Sequence, residues 1–317
     1  MAIPEATLAI KDGALGAVPA NVNGTQAILG VCSTGTVDTV YEFGDPQTMK
    51  ETLGTGPLVD QAAHVLSVAG GPVICVRITG SVAGTVGSVT LAGTGLSVLT
   101  TTGSVPLDSY QAAIKIITGG TNPAAGTATF RVSLDGGLTY GPESSLPTSG
   151  VYAIPSTGLT LNFSAASLVA LDVYTFSSVA PSYSVANFNT AMNALLADSR
   201  EWFLANVVGV PADTTAMAAL FAALDSKLTT AASQFRYTAG LMSAADDTDG
   251  NLDTAMTALS STRVVVAAGF ENVVSAVNGS QLKRSASFSI AARASAATAP
   301  ADLARVHSGY CLGFTKL

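Results

Sequence analysis

Charged residues are scarce in this sequence, and acidic residues outnumber basic ones. Asp, Glu, Lys and Arg make up 11% of the 317 residues, the formal net charge is −7, and no basic cluster is larger than Lys283-Arg284. Nucleic-acid binding needs a basic face that releases counterions, so this composition argues against it. We expect part of the surface to be buried against other subunits or partners, and a monomer with a Ser- and Thr-rich surface is the alternative.

Long apolar runs are also missing. Hydrophobic residues reach 48%, yet Gly, Ser and Thr interrupt every apolar stretch. None reaches the roughly 18 residues that a membrane-spanning helix needs, so we expect no membrane insertion. The first residues, MAIPEATLAIKDG, contain acidic side chains and no apolar core, which argues against a signal peptide.

Cysteine and histidine, which carry much of the chemistry of enzymes, are rare. Cys32, Cys75 and Cys311 lie apart in apolar runs, which is typical of buried free thiols in a reducing cytoplasm. The two histidines, His64 and His307, have no partners at metal-ligand spacing, and no nucleophile elbow is present. We therefore predict no catalytic residue, no cofactor-binding residue and no metal site, and a protein that is not an enzyme.

Three glycine- or acid-rich loops resemble known sites only in part. Gly30 to Gly35 lacks the lysine and the following helix of a phosphate loop, and Gly54-x-Gly56 lacks the preceding strand and third glycine of a dinucleotide site. Ala244 to Asn251 lacks two essential oxygen ligands of a calcium loop, so we interpret it as an acidic turn and helix cap.

The segment from Tyr41 to Ile78 organises the rest of the chain. Gly44-Asp45-Pro46 is typical of a turn, and from Pro57 the apolar residues follow the spacing of one buried helical face for about three turns. Gly70-Gly71 ends that helix, and Pro72 to Ile78 is a continuously apolar run rich in β-branched residues. A strand buried on both faces directly after a helix predicts a parallel or mixed sheet covered by helices.

Residues 79 to 181 differ sharply, because they show no helical period and repeat Gly, Ser, Thr and Val. Thr127 to Leu134 alternates apolar and polar residues, and Asp135-Gly136-Gly137 predicts a hairpin turn into Leu138 to Tyr140. This composition predicts an inserted all-β domain, a sandwich or barrel. Further predicted strands are Ala113 to Thr118, Gly158 to Phe163 and Asp172 to Ser177.

After residue 181 the helical period returns and alternates with strands. Ser184, Asp213 and Asp249 begin predicted helices, and the strands between and after them are Trp202 to Val210, Phe235 to Leu241 and Arg263 to Ala268. Such alternation implies a mostly parallel sheet with helices on its faces. We predict a discontinuous α/β core of residues 25–78 and 182–317, with a mostly parallel or mixed sheet, interrupted by the β domain at 79–181 and preceded by an extended arm at 1–24.

Three motifs of the organising segment resemble the tail sheath proteins of contractile phages. They are a Phe-Gly-Asp-Pro turn at Phe43 to Pro46, Leu-Gly-x-Gly-Pro-Leu at Leu53 to Leu58, and a strand that ends in Val-Arg-Ile at Val76 to Ile78. The resemblance implies a structural virion protein of a bacteriophage, made in the bacterial host cytoplasm and located in the virion tail. Sheath family members usually continue into a further domain after a segment similar to Asp302 to Val306, so the usual last domain is expected to be absent here.

The same resemblance implies a mechanical function. Many copies would assemble helically around the tail tube, and a signal from the baseplate would make the viral tail sheath contract, which drives the tube through the host envelope for genome ejection. The partners implied are other copies of the chain, tail tube proteins and baseplate proteins. Thr7, Leu8, Ala9 and Ile10 alternate like a strand, and we predict that they form an inter-subunit arm that pairs with a neighbouring sheet.

Two other functions stay open from the residues alone. A β-rich virion or cell-surface binding module would make residues 79–181 the working part. An α/β enzyme would bind a small ligand at the carboxyl ends of its strands. The lack of an export signal weighs against the first function, and the lack of convergent titratable groups weighs against the second.

Overall fold

The structure, a computed structural model, describes residues 25–296, in which strands and helices alternate on both sides of a long all-strand stretch. The helices of this range are α1 (Pro46–Leu53), α2 (Pro57–Ala69), α3 (Val185–Ala197), α4 (Thr214–Ser233), α5 (Asp249–Thr257) and α6 (Ser287–Ala296). The strands are β1 (Gln26–Gly30), β2 (Val40–Phe43), β3 (Val73–Arg77), β4 (Thr85–Val86), β5 (Thr90–Ala92), β6 (Leu99–Thr100), β7 (Gln111–Thr118), β8 (Thr129–Ser133), β9 (Ser144–Ser145), β10 (Val151–Ile154), β11 (Leu159–Phe163), β12 (Val173–Val179), β13 (Leu204–Val207), β14 (Ala239–Ser243), β15 (Val264–Ala267), β16 (Phe270–Val274) and β17 (Gln281–Ser285).

A six-stranded mixed sheet with the order β15-β14-β13-β1-β3-β2 forms the centre of the molecule. Its neighbouring strands are parallel except for β2, which pairs antiparallel with β3. Strands β1, β3 and β13 are almost wholly buried, because helices cover the sheet on both faces. The predicted mixed α/β fold with a mostly parallel sheet is therefore confirmed for the described residues.

The alternation of side chains along β1 divides the helices between the two faces. Ala27 and Leu29 pack in a core cluster with buried residues of α3 and α4, and partly buried residues of α5 pack against it. Ile28 points to the opposite face, where it joins residues of α1, α2 and α6. Helices alternate with parallel strands along the chain, and right-handed crossover connections place these helices on both faces of the sheet.

Residues 79–181, called the β region below, contain strands β4 to β12, which pair only with one another. One sheet has the order β4-β12-β7-β8-β9 with β5 also on β12, and a three-stranded sheet has the order β10-β11-β6. Their inner faces share a core that includes Ile114, Phe130, Phe163 and Tyr174. The remainder of the described chain, residues 25–78 and 182–296, is called the parallel-sheet region.

The β region lies beyond the carboxyl edge of the parallel sheet, because the chain enters it directly after β3 and leaves it just before α3. The two passages run side by side, since the Ser81 and Val82 amides both donate to the Ser182 carbonyl, at 2.9 and 3.1 Å. Gln26 and the other first residues of the parallel strands lie at the opposite, amino edge.

Two predicted strand assignments are wrong in detail. The chain reverses after Asp135, but the returning strand is not Leu138 to Tyr140, because β8 pairs antiparallel with β9 further along the chain. The Asp135 carboxylate accepts hydrogen bonds from the Thr139 amide, at 2.9 Å, and from the Thr139 hydroxyl, so the chain wraps around this carboxylate rather than extending. The strand predicted from Phe235 begins only at Ala239, because Phe235 ends α4 in the left-handed conformation with φ 62°.

Candidate functional site

Three charged side chains from distant parts of the chain meet in the interior between the two regions. Asp60 belongs to α2, Asp108 to the loop before β7, and Arg284 to β17, and their exposed fractions are 2%, 4% and 8%. We call this cluster the arginine junction. It is the strongest concentration of buried charge in the part of the chain that the structure describes.

The guanidinium of Arg284 is shared between the two carboxylates. Its Nη1 and Nη2 donate to Oδ1 and Oδ2 of Asp108, both at 2.7 Å, in a bidentate arrangement. Its Nε and Nη2 donate to Oδ2 of Asp60, at 3.1 and 2.7 Å. Bidentate charge-assisted pairs of this kind are both stronger and more directional than neutral hydrogen bonds.

Polar neighbours satisfy the oxygen atoms that Arg284 leaves. The Ser275 hydroxyl donates to Oδ1 of Asp60 at 2.6 Å, and the Ser109 amide donates to Oδ1 of Asp108 at 2.7 Å. The guanidinium carbon also lies 5.6 Å from the centroid of the Phe288 ring on α6. Buried charges that are fully hydrogen-bonded in this way persist in the folded state, because the alternative is an unsatisfied charge in a medium of low dielectric constant.

The electrostatics of the junction keep Arg284 charged. Burial alone would lower its pKa, but the carboxylates of Asp108 and Asp60 outweigh burial and raise the pKa above its ordinary value. Burial and, next, the negative charge of Asp108 raise the pKa of the neighbouring Tyr110 hydroxyl as well. Arg284 therefore stays protonated and charged, and Tyr110 stays protonated and neutral, near neutral pH.

The local folding of each element explains how the junction forms. Alternation along β17 buries Leu282 and Arg284 on one face and exposes Lys283 on the other. Leu282 joins the core of the β region, while the Lys283 ammonium lies 3.3 Å from an Asp246 carboxylate oxygen at the surface. On β17, Leu282 therefore contacts the core of the β region. Arg284, the next residue on the same face, contacts both regions.

A cleft of about 520 Å³ opens beside the junction, between α1 and the loops of the β region. Three charged side chains of its lining have partners in the structure. Lys50 donates to the Ala276 carbonyl at 3.1 Å, and Asp60 and Asp108 are held by Arg284.

The two cysteines and the histidine in the described range are all at least partly buried. Burial raises the pKa of the Cys32 thiol to about 11 and raises that of the fully buried Cys75 thiol further. His64 packs against the Phe288 ring with centroids 5.0 Å apart, and burial lowers its pKa. Thiols with raised pKa values are poor nucleophiles at neutral pH. Cys311, His307 and the predicted arm residues Thr7, Leu8, Ala9 and Ile10 lie outside the described residues.

The remaining loops singled out in the sequence have structural partners. Asp247 accepts hydrogen bonds from the side chain of Asn251, at 2.8 Å, and from the Thr248 amide, at 2.7 Å, and in that order these bonds lower its pKa. Residues 244–251 thus form the acidic turn before a helix that the sequence predicts. Among residues 25–296, no group of His, Cys, Asp and Glu side chains could hold a metal ion, and no helix of this range is long and apolar enough to cross a membrane.

The crevice that open α/β sheets use for ligands lies at the carboxyl ends of the strands where the sheet order reverses. In this sheet that point lies between β1 and β13. The Tyr183 hydroxyl donates to the Val208 carbonyl there, at 2.9 Å, and a Cβ atom added to Gly30 would lie 3.1 Å from Cβ of Val208. Close backbone packing and a tyrosine ring therefore fill the crevice.

Sequence reasoning missed the arginine junction. Its three members are separated by 176 and 224 residues along the chain, so no local pattern joins them. Two signals were present. Asp60 is the one acidic residue of α2, and Lys283-Arg284 is the one basic pair in a sequence poor in charge. These two signals can be recognised as parts of one buried ion pair only once the fold is known.

The family described as "DUF2586, N-terminal domain" matches residues 3–317. None of the curated proteins compared with the chain matches it. Solved structures similar to it include the sheath tail protein Lin1278 from Listeria innocua, with 13% identity and a TM-score of 0.39, and the sheath tail protein DSY3957 from Desulfitobacterium hafniense, with 15% identity and a TM-score of 0.38. These alignments cover 90% and 86% of this chain but only 59% and 58% of those chains. The chain thus spans less than two thirds of either neighbour.

Proposed function

We propose that this chain, which belongs to the family described as DUF2586, N-terminal domain, is a structural subunit of a contractile phage tail sheath. One observation carries the proposal, namely that the motifs at residues 43–78 resemble those of sheath proteins in type and order. The proposed subunit assembles with other copies around a tail tube, and contraction drives that tube through the host envelope.

The residues of these motifs have conformational roles, as expected of a scaffold. The Asp45 carboxylate accepts from the Thr48 amide at 2.8 Å and so caps α1. Gly54 has φ 71°, and a Cβ atom there would lie 2.2 Å from the Ser33 hydroxyl, so the turn between α1 and α2 requires glycine. Gly70 ends α2 in the left-handed conformation, with φ 67°. The motifs therefore specify a turn, two helices and a strand, and no chemistry.

The proposal also assigns different structural roles to the two regions. We infer that residues 79–181 form an inserted domain carried by a core of residues 25–78 and 182–317. The separate pairing of β4 to β12 and the side-by-side passages at Ser81 and Ser182 support this division. The arginine junction ties the two parts together, so that the subunit moves as one rigid body during contraction.

We further infer that the protein is not an enzyme and takes no cofactor. The filled crevice at Tyr183 and the raised pKa values of Cys32 and Cys75 support this inference. The proposed partners are other copies of the chain, which the residues Thr7 to Ile10 would help to connect, and proteins of the tube and baseplate. The proposed location is the virion tail, after synthesis in the host cytoplasm.

Electron microscopy of the purified chain, and of any longer natural protein that contains it, tests the proposed function. We expect rings or hollow helical tubes that lengthen in the presence of tail tubes. A longer protein that stays monomeric at high concentration with tubes present would contradict the proposal. Antibodies against the chain should label intact phage tails along their length, and a label confined to the tail tip or the capsid would be incompatible with a sheath.

A second candidate, a binding module of the virion surface, has one specific observation in its favour. Leu96, Val98 and Leu138 of the β region are 74%, 61% and 67% exposed. Exposed apolar side chains of this size are typical of contact surfaces when they cluster. Binding of phage-free chain to host cells that is lost on replacing these residues would favour this candidate over the sheath.

A further inference from the structure

The arginine junction carries more negative charge than positive charge. Asp60 and Asp108 supply two buried carboxylates, whereas Arg284 supplies one guanidinium. Within residues 25–296, no second cation lies within ion-pair distance of either carboxylate. One negative charge therefore has no partner of opposite sign, and burying such a charge is costly unless a cation comes to it.

Two oxygen atoms of these carboxylates can each accept a further hydrogen bond. Oδ2 of Asp60 and Oδ1 of Asp108 already accept two each. Among the described residues, Oδ1 of Asp60 accepts only from the Ser275 hydroxyl, at 2.6 Å, and Oδ2 of Asp108 accepts only from Nη2 of Arg284, at 2.7 Å. Because a carboxylate oxygen has about two acceptor sites, each of these two atoms has one left.

The hydroxyl of Tyr110 is a third acceptor beside these two oxygen atoms. The Tyr110 side chain is 3% exposed and lines the cleft next to the junction, and its hydroxyl has no hydrogen-bond partner in the described part of the chain. The charges of Asp108, Arg284 and Asp60 all act on this hydroxyl, so it lies close to the junction. Buried tyrosine hydroxyls usually have a partner, and this one therefore indicates a ligand in the cleft.

The cleft has the size and the chemistry for a small organic cation. Asp60, Asp108 and Tyr110 all line its volume of about 520 Å³, which is typical of ligand pockets. An alkylammonium group has one positive charge and three N–H donors, so it matches the one uncompensated charge and the three available acceptors. A divalent metal ion fits less well, because no group of three His, Cys, Asp or Glu side chains is present among residues 25–296.

We propose that the cleft binds an ammonium group at Asp60, Asp108 and Tyr110. A free alkylamine and a lysine side chain of a second copy carry this same group, and the experiment below distinguishes the two sources. Lys50 lines the same cleft, but its own ammonium donates to the Ala276 carbonyl at 3.1 Å. The site does not depend on assembly into a sheath.

Calorimetric titration of the full chain with n-butylammonium chloride tests the site, because this cation reproduces the end of a lysine side chain. Sodium chloride at the same ionic strength and neutral 1-butanol are the controls. We expect one saturable site for butylammonium and none for either control. Equal heats from butylammonium and sodium, or saturable binding of sodium phosphate instead, would overturn the proposal.

Three variants assign the binding to the cleft. Tyr110→Phe removes a hydroxyl that has no partner to lose, so the fold should be retained while the affinity for butylammonium falls about tenfold. Tyr152→Phe is the matched control, since Tyr152 belongs to the same β region but does not line the cleft, and it should leave the affinity unchanged.

Lys50→Gln should raise the affinity about twofold, because it removes a like charge from the lining. Unchanged affinity in Tyr110→Phe, or weaker binding in Lys50→Gln, contradicts the proposal.

Sedimentation of the full chain with and without saturating butylammonium identifies the source of the ammonium group. Dissociation of assemblies by butylammonium would show that a lysine of a second copy is the natural occupant, whereas unchanged sedimentation would show that a free amine is. Saturable binding of butylammonium is required in both cases, so this test stands whether or not the chain forms tubes.

Discussion

The two regions of the molecule bury aspartate side chains in different ways. At the arginine junction, Asp60 and Asp108 share one guanidinium that comes from a third part of the chain. In the β region, Asp172 is equally buried but accepts hydrogen bonds from the backbone amides of Thr94, Gly95 and Val169, at 3.0, 3.0 and 3.2 Å. The first arrangement connects distant segments, and the second fixes loops within one region.

The comparison of these aspartates explains how a protein with few charged residues can bury carboxylates. An amide-bound carboxylate needs no cation, so a loop-rich β region with few basic residues can still bury an acid. At the junction, Asp60 and Asp108 accept instead from the long side chain of Arg284, which reaches both regions. The difference predicts unequal effects of mutation in the two places.

The largest effect is expected from Arg284→Met, which leaves two buried carboxylates without a counter-charge. Breaking a buried ion pair on one side typically costs about 3–5 kcal/mol. The free energy of unfolding from urea titration should fall by about that amount. Lys283→Met, the matched control on the exposed face of the same strand, should change it by less than about 1 kcal/mol, because its partner Asp246 is solvated.

If Arg284→Met and Lys283→Met lower the free energy of unfolding equally, Arg284 has no special role. A triple variant sharpens the test. Asp60→Asn/Asp108→Asn/Arg284→Met removes all three charges together, and it should be more stable than Arg284→Met alone, because no unpaired buried charge remains. The order of the two free energies of unfolding is the measured outcome.

A smaller effect is expected from Asp172→Ala in the β region. The change leaves buried amides without an acceptor, and each such group costs about 1–3 kcal/mol when water does not replace the partner. Because the turn at Thr94 and Gly95 lies near the surface, we expect about 2 kcal/mol in total. Hydrogen exchange should accelerate at those two amides and stay unchanged at β1, and a uniform acceleration across both regions would argue against a local role.

Two residues in the left-handed conformation allow a finer comparison of the regions. Leu171 in the β region has φ 74° and is 70% exposed, much as Phe235 has φ 62° and is 84% exposed in the parallel-sheet region. Leu171→Gly should stabilise the protein by about 0.5–1 kcal/mol, because glycine adopts this conformation without strain. Phe235→Gly should give a gain of similar size for the same reason, and a fall in the thermal midpoint of either variant would contradict the strain argument.

The smallest effect is expected from pH. Burial raises the pKa of Asp135, but hydrogen bonds from Ser133 and Thr139 outweigh burial and hold the pKa below its ordinary value of 3.8. A lowered folded-state pKa contributes stability that is complete above the unfolded value and is lost as pH falls through the folded value. Asp135→Asn should therefore be less stable than wild type above about pH 4, and urea midpoints of the two proteins should converge below it.

The sequence predicted most of the parallel-sheet region, because helical periodicity and capping residues are local signals. Ser184 and Asp213 do cap α3 and α4, and β3 lies where the apolar run from Pro72 to Ile78 predicted it. The end of α4 could not be predicted, since a phenylalanine in the left-handed position resembles the start of a strand. In the β region, the strands β7, β11 and β12 were found, but the partner of β8 was not.

The failure at Asp135 and the missed junction have a common cause. Both depend on side-chain hydrogen bonds to groups whose positions only the folded chain defines. Asp135-Gly136-Gly137 has the composition of a two-residue hairpin loop, yet the carboxylate binds Thr139 and also accepts from the Gln281 amide at 3.4 Å, from a strand far along the chain. The division into an inserted domain and a core stays a prediction on this evidence.

The hydrogen bond between Gln26 and Ser295 also affects how the protein can be engineered. It places the first strand and the last helix of the described chain side by side, so in a variant that consists of residues 25–296 a short linker could join the two ends without threading through the fold. New ends could then be opened at the turn around Leu138, on the far side of the molecule. In such a circular permutant, a fluorescent or affinity tag would project from the β region, and the amino edge of the parallel sheet would stay free of it.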